Sequence, residues 1–82
     1  MITAIIVDDE INNAKYLQGL IEADLPEVIL KGTAGNITDA KKLIEEVKPS
    51  LIFLDIELQT ATGFDLLNQL GQINFSVIFN LF

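Results

Sequence analysis

The chain has 82 residues, half of them hydrophobic, and a net charge of −7 from twelve acids against five basic residues. This suits one small domain that buries roughly 60–65% of its unfolded surface, and it is too apolar for a disordered tail. Cysteine, histidine and arginine are absent, which excludes disulfides, thiolate metal sites, an imidazole base and an arginine clamp, and the acidity argues against nucleic acid or an anionic membrane as partners of this chain alone.

Residues 1–7 do not form a secretory signal. They lack a basic segment, the apolar run is short, and Asp8-Asp9-Glu10 follows at once. No stretch approaches the length of a membrane span, so the expectation is a cytoplasmic protein. Ile2–Val7 reads as a buried parallel strand, apolar on both faces and without alternation. Asp8 or Asp9 then caps a helix with an acidic first turn. That helix carries one apolar stripe, Ala14, Leu17, Leu20, Ile21 and Leu25, and ends at Pro26. Residues 28–31 form a second strand, closed by Gly32-Thr33-Ala34-Gly35; without a lysine this G-x-x-G is read as a turn, not a phosphate loop.

A second helix covers about residues 38–48, with Ile37, Ala40, Leu43, Ile44 and Val47 facing inward. Asn36-Ile37-Thr38 matches a glycosylation sequon, but without a signal peptide it is read as the helix start. Pro49 stops this helix, and Leu51-Ile52-Phe53-Leu54 forms a third strand that runs into Asp55. Residues 59–63 read as a loop. A third helix carries Phe64, Leu67 and Leu70 with Gly71 as its cap, and residues 75–81 form a fourth strand.

The order β-α-β-α-β-α-β implies a parallel sheet with helices on both faces. Right-handed crossovers and a strand order of 2-1-3-4 put the first helix on one face and the other two on the opposite face. Ligands bind such sheets beyond the carboxyl ends of the strands, where the order reverses. Asp8, Asp9 and Asp55 fall there. Three crowded carboxylates repel one another unless protons or a cation intervene, and a hard, oxygen-seeking ion such as Mg²⁺ meets that need. One carboxylate oxygen then remains available as a nucleophile toward a phosphoryl group. Asp55, alone at its strand end, is the natural nucleophile, and Asp8 and Asp9 are the natural metal holders. The plainer alternatives are a helix cap for Asp8-Asp9 and a solubilising rim residue for Asp55.

Three stretches carry a family resemblance: Ile6-Val7-Asp8-Asp9-Glu10, Leu51-Ile52-Phe53-Leu54-Asp55-Ile56-Glu57-Leu58, and Gly63-Phe64-Asp65-Leu66-Leu67. Together they resemble the receiver domain of two-component response regulators, a flavodoxin-like three-layer fold. That family is itself a known instance of the 2-1-3-4 order, so the two readings of topology are not independent. Phe53-Leu54-Asp55-Ile56-Glu57-Leu58 and Val77-Ile78-Phe79 are most similar to regulators with a LytTR-type DNA-binding output, which implies a role in transcription regulation.

The resemblance implies Asp55 as phosphoacceptor, with Mg²⁺ held by Asp9 and Asp55 directly, by Asp8 through water and by the backbone carbonyl of Glu57. It implies Gly63 as the loop glycine before the third helix and a sensor histidine kinase as partner. It further implies a Thr or Ser near the end of the fourth strand, where this sequence has Leu81, and a lysine on a fifth strand that residues 1–82 do not include. The chain therefore reads as a receiver truncated after its fourth strand, without the fifth strand and last two helices, able to accept phosphate but deficient in switching. The bare fourth-strand edge, with Phe75, Phe79, Leu81 and Phe82, predicts a homodimer or larger assembly. Two further functions compete: an interaction module that dimerises independently of phosphorylation, and a phosphohydrolase with an aspartate nucleophile, in which Asp55-Ile56-Glu57 loosely imitates a nucleophile and general-acid pair.

Overall fold

The structure, a computed structural model, describes residues 1–58 and 61–80, and for Ala61 and Asn80 the backbone alone. Its elements are β1 (Ile2–Val7), α1 (Ile11–Asp24), β2 (Val28–Ala34), α2 (Ile37–Val47), β3 (Leu51–Asp55), β4 (Glu57–Leu58), β5 (Ala61–Thr62), α3 (Gly63–Gln69) and β6 (Ser76–Asn80). A four-stranded parallel sheet runs β2-β1-β3-β6. This is the order expected from the sequence, with β6 as the fourth strand of the sheet. β4 and β5 pair antiparallel as a separate hairpin, of which β5 falls in the stretch 59–63 read as loop. Gln59, Thr60, Leu81 and Phe82 lie outside the described residues, and with them the expectation for the hydroxyl position at Leu81.

The central strands are apolar without alternation because both sheet faces are covered. On one face Ile5, Val7, Ile52 and Leu54 pack with Ala40 of α2 and Leu66 of α3. On the other, Ala4, Ile6 and Phe53 pack with Ala14 and Ile21 of α1. The helices thus divide between the faces as expected.

Five local readings change. Glu10, not Asp8 or Asp9, caps α1: its side chain accepts from the Asn12 N–H, and no acid occupies the first turn. In the α1 stripe only Ala14 and Ile21 are buried, while Leu20 and Leu25 lie at the exposed margin. Gly32, Thr33 and Ala34 belong to β2, which continues past an irregularity: Ala4 pairs with Leu30 but Ile5 with Gly32, leaving Lys31 as the extra residue of a bulge. In α3 the buried contact is Leu66, whereas Phe64 is half exposed and meets Phe79 at a tilt of 39°, with ring centroids 5.1 Å apart. Gly71 does not adopt a left-handed cap, and Leu70 ends the helix.

The start of α2 is as read. Asn36 Oδ1 accepts from the Asp39 N–H at 2.8 Å. The helix closes at Lys48 in the left-handed region, with φ 50°, directly before Pro49.

Candidate functional site

β1 and β3 are hydrogen-bonded neighbours, with Val7 opposite Leu54. The residues that follow on the two strands therefore emerge side by side at the carboxyl end of the sheet. The Asp8 N–H donates to the Ala34 carbonyl at 2.9 Å, which ties the end of β1 to the end of β2. One carboxylate oxygen from each of Asp8, Asp9 and Asp55 lies within 4.8 Å of the others. The structure thus gathers all three predicted acids.

Their environments differ. Asp8 is 4% exposed, Asp55 8%, and Asp9 is half-buried. Asp8 Oδ1 accepts from the Glu10 N–H at 2.8 Å, but Oδ2 is buried with no hydrogen-bond partner. A buried acceptor left unpaired costs about 1–3 kcal/mol, so this oxygen calls for a proton or a cation. Burial is the main reason the Asp8 carboxyl titrates above the ordinary carboxylate range; the negative charges of Asp55 and Asp9 push the same way, against the Glu10 N–H. Asp55 Oδ1 accepts from the Glu57 N–H at 3.1 Å, which fixes one oxygen of that carboxylate.

Glu57 itself points away: its side chain is exposed and it stands outside the acid cluster, opposite Thr62 in the β4–β5 hairpin. A role for it at the site would be through its backbone. Gly63 packs under the Asp55 carbonyl and is buried, its N–H donating to the Ile56 carbonyl at 2.7 Å. Thr62 and Asp65 close a capping box at the start of α3; the Thr-x-x-Asp spacing just before an apolar run was its signal in the sequence. Lys15 carries no signal in the sequence, yet Lys15, Asp8 and Asp9 line one cleft of about 230 Å³ between α1 and the end of β2. Ile11, Ala14, Lys15 and Gln18 share that helix face, a pattern visible in their 3–4 spacing.

Residues 4–80 match the response regulator receiver domain family. The chain belongs to that family. The receiver is 37% identical over 70 residues to an uncharacterised response regulatory protein of Vibrio parahaemolyticus, covering 85% of this chain and 28% of that protein. It is 38% identical over 73 residues to the sensory transduction protein LytR of Streptococcus agalactiae, covering 84% and 28%. The chain therefore spans little more than a quarter of the length of these relatives. Among solved structures it is similar to the MaeR response regulator bound to beryllium trifluoride, with a TM-score of 0.88, 27% identity, and coverage of 98% of this chain and 66% of that one.

Receiver domains of two-component systems serve in general as phosphoacceptors, bind Mg²⁺ at an acidic pocket and interact with histidine kinases. This chain carries an acidic cluster, Asp8, Asp9 and Asp55, at the carboxyl end of its sheet. Among the described residues, no helix is long and apolar enough to cross a membrane.

Proposed function

We propose that this receiver is a Mg²⁺-dependent phosphoryl acceptor whose acceptor is Asp55, and that residues 1–82 act as one receiver unit. The observation that carries the reading is the three-acid cluster with a buried, unpartnered Asp8 oxygen. The donor set fits a hard divalent ion: carboxylate oxygens only, one from each acid and all within 4.8 Å of one another. Asp8, Asp9 and Asp55 would hold the ion, with the Glu57 carbonyl as a further ligand. When bound, Mg²⁺ supplies positive charge that offsets the carboxylates and the incoming phosphoryl oxygens.

The chain's own residues do the rest. The Glu57 N–H holds Asp55 Oδ1, orienting the carboxylate so that its second oxygen meets phosphorus. An O–P bond forms as the P–N bond of a phosphohistidine on a sensor kinase breaks; the ring nitrogen takes the P–N electron pair, and the imidazole leaves neutral because its other nitrogen already carries a proton. The product is an acyl phosphate on Asp55. Leu81, at the position where the family has a hydroxyl, offers none, so residues 1–82 alone are expected to relay the phosphorylated state weakly. Transcriptional output and a cytoplasmic location belong to the same proposal.

Intact mass after incubation with Mg²⁺ and a small phosphodonor tests it. One phosphoryl adduct should form, fail to form when a chelator is present during the incubation, and be absent in Asp55→Asn.

A second reading is favoured by the edge position of β6, where Ile78 is 49% exposed and Phe79 36%. Edge strands and bare apolar faces recruit further chains, and self-association through β6 would supply an interaction role independent of phosphate. Light scattering should show an assembly in the wild type and in Asp55→Asn alike, shifted toward monomer by Ile78→Glu. A clean monomer at micromolar concentration sinks this reading. The phosphohydrolase alternative ranks last, because the Glu57 side chain is not part of the acid cluster.

A further inference from the structure

We propose that Gly63 is a positioning residue for the acidic site: the bare first residue of α3 is what allows that helix to hold the backbone of Asp55, Ile56 and Glu57 in place. This rests on the reading of Asp55 as acceptor and extends it by coupling α3 to the acceptor carboxylate. A β-carbon at Gly63 would lie 2.5 Å from the Asp55 carbonyl oxygen, 3.0 Å from Leu54 Cγ and 3.3 Å from Leu54 Cδ2. The first of these obstacles is backbone and cannot rotate aside as a side chain would.

The other glycines show the contrast. At Gly32 the three nearest atoms to a β-carbon would all belong to the Leu43 side chain, from 3.2 Å outward; at Gly35 the nearest backbone atom is 3.8 Å away; at Gly19 and Gly71 it would meet nothing within 4 Å. Gly63 has no positive φ, so space, not backbone freedom, requires glycine there. Alanine would otherwise be the better helix former.

The gripped segment leads straight to the site. The Gly63 N–H holds the Ile56 carbonyl at 2.7 Å, and the next N–H, that of Glu57, holds Asp55 Oδ1 at 3.1 Å. On the helix side, the Thr62–Asp65 capping box and the fully buried Leu66 anchor α3. Displacing the Asp55–Ile56 peptide therefore displaces both the Glu57 N–H that orients the carboxylate and the segment carrying the Glu57 carbonyl.

The test compares wild type, Gly63→Ala, Gly19→Ala and Gly32→Ala. Mg²⁺ affinity and the Glu57 backbone amide resonance are read by NMR under conditions where each variant is folded by circular dichroism. Gly63→Ala should weaken Mg²⁺ binding by about 10–100-fold, the range seen when groups supporting metal ligands are altered, and shift the Glu57 amide even without metal. Gly19→Ala and Gly32→Ala should retain both signals. Should Gly63→Ala fail to fold, Thr62→Val, which loosens the same helix start without adding an atom beside Asp55, should weaken Mg²⁺ binding a few-fold. Wild-type affinity and an unmoved Glu57 amide in Gly63→Ala overturn the proposal, as does an unaltered Thr62→Val where Gly63→Ala cannot be obtained folded. A wild type that binds no Mg²⁺ contradicts the acceptor reading instead, while the metal-free Glu57 shift still decides the role of Gly63.

Discussion

The two faces of the sheet are built to different depths. On the α2–α3 side, buried residues run from Ile5 and Val7 through Ile52 and Leu54 to Leu58 and Leu66, with Leu43, Ile44, Leu67 and Val77 packed around them. On the α1 side, Ala4, Ile6, Ala14, Ile21 and Phe53 form a smaller cluster, and Ile78 of β6 is left half exposed. One helix cannot cover four strands, whereas two can. The acidic site straddles this difference. Asp55 is braced from the deep side through Leu54, Gly63 and Leu66, while Asp8 and Asp9 lead over into α1 on the shallow side. The structure thus pairs a firmly held Asp55, the proposed acceptor, with Asp8 and Asp9, the proposed metal holders, whose repulsion is only partly relieved within the chain.

The largest expected effect comes from removing a deep-side anchor. Leu66→Ala deletes a fully buried side chain and should cost about 2–5 kcal/mol, a large share of the roughly 5–15 kcal/mol that stabilises a domain. Ile78→Ala on the shallow side should stay within about 0.5 kcal/mol. Urea unfolding of the two variants compares the faces directly, and equal losses would erase the distinction drawn between them.

A smaller effect follows from Asp8. Its carboxyl titrates above the ordinary carboxylate range in the folded chain, so the folded state holds its proton more tightly than the unfolded state does. Stability from this group is therefore present below the unfolded pKa and is lost as pH rises through the folded pKa. Without metal, Asp8→Asn should stabilise the chain at neutral pH, on the order of 1 kcal/mol for one relieved buried acceptor, and should flatten that pH dependence. Added Mg²⁺ should stabilise the wild type more than the variant. Thermal melts across acid to neutral pH, with and without Mg²⁺, measure both.

Sequence reasoning reached the sheet and the acid cluster because both follow from strong signals. Buried parallel strands read as continuous apolar runs, and an aspartate that ends such a run can only sit at the sheet rim; Ile2–Val7 and Leu51–Asp55 both have this form. The misreadings cluster where tertiary contacts override local preference. Gly32 looked like a turn residue, but the β2 bulge at Lys31 and the close approach of Leu43 make it a strand residue. The stripe through Phe64 missed Leu66 because a seven-residue helix is too short for periodicity to fix its buried face. Glu10 gives no cap signal in the sequence because glutamate is a less usual cap than its aspartate neighbours. The bracing of Asp55 by Gly63 was out of reach, since no spacing rule brings a helix start against a strand-end carbonyl.

The most direct test of the central claim is intact mass of the chain after incubation with Mg²⁺ and a small phosphodonor, with Asp55→Asn alongside. A single phosphoryl adduct is expected on the wild type, with none when a chelator is present during the incubation and none on the variant. An adduct that persists in Asp55→Asn, or none on a folded, Mg²⁺-bound wild type, would contradict it.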